Sequence, residues 1–144
     1  MKYNFYEKGA KNIKPINEEF NKIIDPFDLY DKLSTLWSKD TCAPRMRENW
    51  SKSNKTLGQC SITAFLAQDI FGGEVYGIKL ADGNFHCYNK IGEYEFDLTD
   101  EQFFPHKLDY NNTIKQSRDI HFLKEEKKNR YEYLKSSLLK LLND

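Results

Sequence analysis

Residues 60 to 99 constrain the fold most, because a helical segment there is followed by three strand-like segments. Apolar residues recur at helical spacing from Cys60 to Phe71, and the glycine pair at 72 and 73 marks the end of that helix. An Asp-Gly pair and a single glycine then separate the strand-like segments, which cover residues 74–81, 84–91 and 93–99. This order predicts an α+β fold in which the Cys60 helix packs on a small antiparallel sheet.

Two segments on either side of this unit are predicted to be outer helices. The first, near residues 26 to 38, has Asp25 as its N-cap and Pro26 as its first helical residue. The second, near residues 117 to 142, has apolar residues on a broadly helical period. It is predicted to be one long helix or two broken helices that cover the sheet.

The N-terminal residues 1 to 25 mix charged side chains with scattered aromatics and show no clear period. They are predicted to form a loosely attached arm or to contain a short helix around residues 17 to 24. A chain of 144 residues has room for one sizeable core. We therefore expect a single domain, with residues 1–25 as the arm and residues 26–144 as the core.

Charge and composition argue against several classes of partner. Lys plus Arg and Asp plus Glu each total 22, so neither nucleic acid nor an anionic membrane is an expected partner. No apolar run approaches the length of a bilayer span, and the N-terminal residues lack the apolar stretch of a signal peptide. The chain is therefore expected in the cytoplasm, and its oligomeric state stays open.

The three cysteines are expected to be reduced thiols, because their number is odd and no export signal is present. Potential metal ligands are Cys42, Cys60, His86, Cys87, His106 and His121. They form no CxxC or HxxxH pair, and the strand pattern points His86 and Cys87 to opposite faces, so no metal site is expected.

No phosphate-binding loop is present, and no cofactor is expected. Cys42 and Cys87 are interpreted as core or partly exposed thiols, and His106 and His121 as structural or solvated.

The residues that point to chemistry are Cys60, His86 and Asp97. A cysteine is nucleophilic as its thiolate, and a helix start or a nearby imidazolium lowers its pKa from about 8.5. Cys60 lies in the first turn of the predicted helix, and strand alternation lets His86 face Asp97 across a hairpin. Asp97 would then accept the other ring N–H of His86 and fix its tautomer. The three residues predict a Cys-His-Asp catalytic site.

Further residues are predicted to bind the oxyanion or the substrate. The backbone N–H of Cys60 is one oxyanion donor, because helix starts leave such groups unpaired. The side-chain amide of Gln59 or of Asn54 is the second donor. Trp50 lies with Asn54 in the polar loop that leads into the helix, and such loops often bind substrate. Asn89 is the second choice for the residue that orients the imidazole.

Each residue of the predicted triad also has an ordinary structural interpretation. Cys60 fits a buried small residue at a helix start, and His86 fits a hydrogen-bonded structural histidine. Asp97 fits a strand end that precedes a capping box formed by Thr99 and Gln102. The order, the element types and the side-chain faces of the three agree, and this agreement favours the catalytic interpretation.

Several strings in the sequence occur in an order that resembles the YunG-like family of small bacterial proteins. They are GQCSITAFLAQDIFGGEV, FHCYNKI, YEFDLTDEQF, SRDI and RYEYLKSSL. The resemblance covers roughly residues 44 to 139. It implies little about the activity of the chain.

The helix-start cysteine, strand histidine and next-strand aspartate also resemble the transglutaminase-like branch of the papain fold. This resemblance implies a papain-like core and matches Cys60, His86 and Asp97 to a catalytic triad. The core is much smaller here, and Tyr88 and Tyr94 stand where a Trp is often found. The expected function is a thiol hydrolase or acyltransferase, of peptidase, amidase, deamidase or transglutaminase type, that attacks a peptide or protein amide and forms a thioester. The alternative is a non-catalytic interaction or regulatory module on the same scaffold.

Overall fold

The structure is a computed structural model that describes residues 3 to 144. This part of the chain contains five strands and four α-helices. In chain order they are β1 (Tyr6–Lys8), α1 (Pro26–Ser34), α2 (Cys60–Phe71), β2 (Glu74–Lys79), β3 (Phe85–Ile91), β4 (Tyr94–Asp97), β5 (Ile114–Lys115), α3 (Arg118–His121) and α4 (Glu125–Leu142). The predicted α+β class is confirmed. None of these helices combines the length and the apolar composition needed to cross a membrane.

The five strands form one antiparallel sheet in the order β1-β4-β3-β2-β5. Its centre is the predicted meander of β2, β3 and β4, in which Ile78 lies opposite His86 and Asn89 lies opposite Phe96. The edge strands β1 and β5 come from distant segments and are three and two residues long. Strands this short show no periodic pattern in a sequence. The meander is confirmed, and the edge strands extend it on both sides.

Helix α2 lies between the sheet and α4, in contact with β3 on one side and with α4 on the other. Eight of its twelve residues are buried, which is what a helix covered on two sides requires. Gly72 ends it with a φ of 83°, in the left-handed region that glycine adopts without strain. The predicted bounds of this helix are confirmed.

The C-terminal region forms two helices, α3 and α4, which is one of the two forms the sequence allows. The buried residues of α4 include Tyr131, Leu134 and Leu138, and the helix packs mainly against α2. The prediction that this region covers the sheet is corrected in that respect. The physical reason is that α2 already occupies one face of the sheet, so α4 forms the next layer out.

Helix α1 begins as the sequence predicts. The carboxylate of Asp25 accepts a hydrogen bond from the backbone N–H of Asp28 at 2.9 Å, and Pro26 is the first helical residue. The helix ends at Ser34, four residues earlier than the predicted end at residue 38. Beyond its end, the indole N–H of Trp37 donates to the Thr63 hydroxyl in α2 at 3.0 Å. This bond fixes the end of α1 against the central helix.

The described N-terminal residues are packed into the core. Phe5, Ala10, Ile13, Phe20 and Ile23 are all buried, and β1 pairs with β4. In place of the helix considered for residues 17–24, a single 3-10 turn covers Glu18–Phe20. The segment is therefore not a loosely attached arm. Its scattered aromatic and aliphatic residues have no common period because an irregular chain inserts them into the core one at a time.

Candidate active site

Cys60 is the first residue of α2 and is partly exposed. Its thiol points to the start of β3, where Sγ lies 3.9 Å from the backbone oxygen of Phe85. Within residues 3 to 144, no side chain caps the N-terminus of α2. The first-turn N–H groups and the helix dipole are therefore available to stabilise negative charge at the sulfur or on a bound group.

His86 and Asp97 lie on the neighbouring strands β3 and β4 and meet in the interior. Nε2 of His86 is 2.7 Å from Oδ2 of Asp97, and both side chains are at most 1% exposed. Nδ1 of His86 is also buried, and no group in residues 3 to 144 forms a hydrogen bond with it. One end of the imidazole is thus fixed by the carboxylate, and the other end is free to interact with the Cys60 thiol.

The ionisation of Cys60 and His86 is linked. Burial lowers the pKa of His86, but the charge and hydrogen bond of Asp97 and the interaction with Cys60 outweigh it and raise the pKa to about 10. The interaction with the Cys87 thiol lowers the pKa of Cys60 well below its ordinary value; burial opposes this, and the charge of His86 lowers it further. At neutral pH the favoured state is a Cys60 thiolate beside a His86 imidazolium.

Cys87, the residue after His86, is a part of this site that the sequence analysis placed among core thiols. It is 1% exposed, and its interaction with Cys60, together with burial, raises its pKa well above the ordinary value. Cys87 therefore stays protonated beside the Cys60 thiolate. The start of α2 lies at the end of β3, so Cys60 is close to two consecutive strand residues, although their side chains leave the strand on opposite sides.

Asp97 is held by donors from the chain that follows β4. The Tyr110 hydroxyl donates to Oδ2 at 2.7 Å, and the backbone N–H of Thr99 donates to Oδ1 at 3.2 Å. Asp100, a second buried carboxyl group, accepts from the backbone N–H of Tyr6 at 2.9 Å. Burial and the nearby charge of Asp97 raise the pKa of Asp100 to about 7. No sequence pattern distinguishes Tyr110 from the other tyrosines, so it was not predicted.

Cys60 and His86 line a cleft of about 620 Å³, which we call the Cys60 cleft. Its walls come from residues 43–46, from residues 80–86 and from the C-terminal segment that contains α3 and the first half of α4. The ring of Phe103 packs edge-on against His86 with 4.9 Å between ring centroids. This contact shields one face of the imidazole from water, while the thiol stays open to the cleft.

The structure brings none of the four predicted auxiliary residues to the Cys60 cleft. Gln59 is buried, and its side-chain amide donates to the backbone oxygen of Ser38 at 3.1 Å. Trp50 donates to the backbone oxygen of Lys55, and Asn54 lies in a tight turn with Ser51. Asn89 donates to the backbone oxygen of Ala64 in α2 at 2.8 Å. Distant backbone oxygens direct the side chains of Gln59 and Asn89, which the local sequence does not reveal, whereas Trp50 and Asn54 are held within their own loop.

The remaining cysteines and histidines were considered above as possible metal ligands. All three cysteines are free. Within residues 3 to 144, no group of three or more His, Cys, Asp or Glu side chains is arranged to hold a metal ion. His121, which the sequence analysis interpreted as structural or solvated, lines the Cys60 cleft together with Lys127.

A family model and a curated relative, both named YunG, match most of the chain. A family model described as "YunG protein" matches residues 25–143 of the chain. The chain is also 30% identical over 111 residues to a protein of Bacillus subtilis (strain 168) named "Uncharacterized protein YunG", and this match covers 77% of the chain and 89% of that protein. No solved structure matches the chain. Cys60, His86 and Asp97 all lie within the residues that the family model matches.

Proposed function

The chain belongs to the YunG family, and we propose that it is a thiol hydrolase or acyltransferase that acts through Cys60, His86 and Asp97. One observation carries the proposal: Asp97 is bonded to Nε2 of His86, while the buried Nδ1 has no partner and a low-pKa thiol lies beside the ring. The same order of groups, thiol to imidazole to carboxylate, defines cysteine nucleophile sites in general. Here α2 supplies the thiol and two adjacent strands supply the other two groups.

The first step is acylation. The Cys60 thiolate attacks the carbonyl carbon of an amide or ester, and the negative charge that develops on the carbonyl oxygen is stabilised by first-turn N–H groups of α2. The His86 imidazolium then donates its Nδ1 proton to the leaving amine or alcohol as the bond to the carbonyl carbon breaks. The products of this step are a Cys60 thioester, neutral His86 and the free leaving group.

The second step is transfer of the acyl group. Neutral His86 removes a proton from an incoming water or amine, which attacks the thioester carbonyl and releases the Cys60 thiolate. Water gives hydrolysis, as in a peptidase, amidase or deamidase, and an amine gives a transglutaminase-type transfer. The Asp97 carboxylate keeps its hydrogen bond to Nε2 and stabilises the imidazolium each time it forms.

We extend the proposal to the fold family, the substrate and the compartment. The helix that begins with Cys60, packed on an antiparallel sheet whose adjacent strands carry His86 and Asp97, supports the proposal of a small papain-like or transglutaminase-like core. A peptide or protein amide is the proposed substrate. The free thiols agree with a reducing compartment such as the cytoplasm.

Trapping of the thioester tests the proposal. An activated ester such as p-nitrophenyl acetate should add one acetyl group to the wild-type protein in acid-quenched samples, and peptide mass spectrometry should find it on Cys60. The Cys60→Ser variant should lose this fast product, and the Cys42→Ser variant should keep it. Acetylation that is equally slow in all three proteins would contradict a thiol enzyme and would leave the interaction or regulatory module as the better account.

A further inference from the structure

The Cys60 cleft is strongly basic although the whole chain has no net charge. Five lysine or arginine residues and two histidines line it, and Glu126 is the one acidic residue in the lining that residues 3 to 144 supply. Besides His86, the basic residues are Arg45, Lys115, Lys124, Lys127, Arg130 and His121. A cleft lined by one sign of charge concentrates ligands of the opposite sign.

Three of these cations already have acidic partners. Arg130 is ion-paired with Glu126, Lys115 with Glu74, and Arg45 with Asp82 at 3.7 Å. Within residues 3 to 144, no carboxylate lies within ion-pair distance of Lys124 or Lys127. Of the two, Lys124 is exposed and Lys127 is half-buried. Lys127 is therefore the cation that loses water without gaining a carboxylate partner.

The ammonium group of Lys127 is held in place by a chain of hydrogen bonds. Its Nζ lies 2.8 Å from Nδ1 of His121, and Nε2 of the same ring lies 2.8 Å from Oε1 of Gln116. The side-chain amide of Gln116 donates to the backbone oxygen of Ile114 at 3.0 Å, which leaves Oε1 as the acceptor. His121 therefore donates from Nε2 and accepts at Nδ1. This arrangement orients a lysine that would otherwise be free to rotate.

The pKa shifts of His121 and Lys127 agree with His121 as the acceptor and Lys127 as the donor of their hydrogen bond. Burial, and then the charge of Lys127, lower the pKa of His121 to about 4, so the ring is neutral and can accept from the ammonium. Burial and the charges of Lys124 and Arg130 lower the pKa of Lys127, while the neighbouring sulfur atoms of Cys87 and Cys60 raise it. A half-buried ammonium without an ion-pair partner is unfavourable, and an anionic ligand would reduce that cost.

We propose that the Cys60 cleft binds acyl donors that carry a carboxylate group, with Lys127 as the carboxylate-binding residue and His121 as the residue that positions it. The inference rests on the proposed function, because it places the carboxylate next to a carbonyl that Cys60 attacks. A carboxylate of a peptide is either an acidic side chain or the C-terminal group. Both have the chemistry that a single oriented ammonium recognises.

The test compares two alkylating reagents that differ by one charge. Iodoacetate carries a carboxylate and iodoacetamide does not, and both attack the same thiolate, so the ratio of their rates cancels any change in the thiolate fraction. Rates at Cys60 are measured by peptide mass spectrometry on the intact protein. In Lys127→Gln the ratio of the iodoacetate rate to the iodoacetamide rate should fall about fivefold to tenfold, the effect of removing one nearby charge.

Two features of the design keep the result interpretable. Gln at position 127 can still donate to His121, and circular dichroism of the variant checks that it folds. Lys128→Gln is the matched control, because Lys128 is exposed on the same helix and does not line the cleft. Equal ratios in Lys127→Gln, Lys128→Gln and wild type would overturn the inference. Slow reaction of wild-type Cys60 with both reagents would instead overturn the proposed function.

Protection experiments separate the two carboxylate sources. N-acetylglutamate α-amide presents only a side-chain carboxylate, N-acetylglutamine presents only an α-carboxylate, and N-acetylglutamine amide is neutral. At least one of the two acids should slow iodoacetamide labelling of Cys60 in wild type but not in Lys127→Gln, and the neutral compound should not. Stronger protection by inorganic phosphate than by either acid would contradict a carboxylate site.

Discussion

The imidazole of His86 is bonded through Nε2 to Oδ2 of Asp97 at 2.7 Å, and its other nitrogen has no hydrogen-bond partner within residues 3 to 144. A structural histidine in a protein interior normally satisfies both nitrogens. An unsatisfied buried nitrogen on a residue that shares a cleft with the Cys60 thiol therefore favours a role in which a proton moves between the two. The predictions below follow from this relationship and from the groups that support it.

Replacing Asp97 by Asn should reduce the fraction of Cys60 that is present as thiolate at pH 7. Without the carboxylate charge, burial dominates at His86 and lowers its pKa, so the ring is neutral at pH 7 and no longer stabilises negative sulfur. We expect the rate of Cys60 alkylation by iodoacetamide at pH 7 to fall about tenfold or more. Asp40→Asn, at an exposed position, is the control. An unchanged rate in Asp97→Asn would show that Asp97 does not act on Cys60 through His86.

Cys87 should affect Cys60 through its hydrogen bond. In Cys87→Ser a hydroxyl replaces the thiol donor, whereas Cys87→Ala removes the donor. The alkylation rate of Cys60 at pH 6 should therefore fall several-fold in the Ala variant and change little in the Ser variant, and at pH 9 all three proteins should react at similar rates. The measurement is the rate against pH by peptide mass spectrometry. Identical pH profiles of the Cys60 alkylation rate in Cys87→Ala and Cys87→Ser would show that Cys87 does not act on Cys60 as a hydrogen-bond donor.

Asp100 should make stability depend on pH between about 4 and 7. Above pH 4 the unfolded chain has lost the Asp100 proton, whereas burial and Asp97 raise the folded pKa from 3.8 to about 7. The folded state binds more protons in that window, so the free energy of unfolding falls as pH rises, by about 3 kcal/mol between pH 4.5 and pH 8 for a shift of this size. In Asp100→Asn this fall should be absent. Urea denaturation of both proteins at pH 4.5 and pH 8 measures it, and parallel stability curves would count against the assignment.

Much of the fold could be predicted because local signals and tertiary structure agree. Asp25 followed by Pro26 is a helix start in any context, and Gly72 ends a helix wherever the chain must turn left-handed. The Asp-Gly pair and the single glycine between the strands likewise predict turns from local sequence alone. The Cys60, His86 and Asp97 positions follow from these elements, since a helix start and two adjacent strands leave few ways to place them.

The remaining parts of the site depend on contacts between distant segments. Tyr110 reaches Asp97 from an irregular loop, and Lys127 reaches the cleft from a helix face that looks merely solvated in the sequence. Gln59 points away from the cleft because the backbone oxygen of Ser38 accepts its hydrogen bond. Packing between distant segments determines these side-chain contacts, so the local periodicity of the sequence does not predict them.

The pH dependence of Cys60 alkylation tests the central claim most directly. Iodoacetamide rates at Cys42, Cys60 and Cys87 are measured by peptide mass spectrometry from pH 5 to pH 9, in wild type and in His86→Gln. A thiolate held by the His86 imidazolium predicts a Cys60 rate that is nearly flat down to about pH 6 and far above the other two, and a loss of that plateau in His86→Gln. A wild-type Cys60 rate that drops about tenfold per pH unit below about pH 8.5, as for an ordinary thiol, would contradict the account.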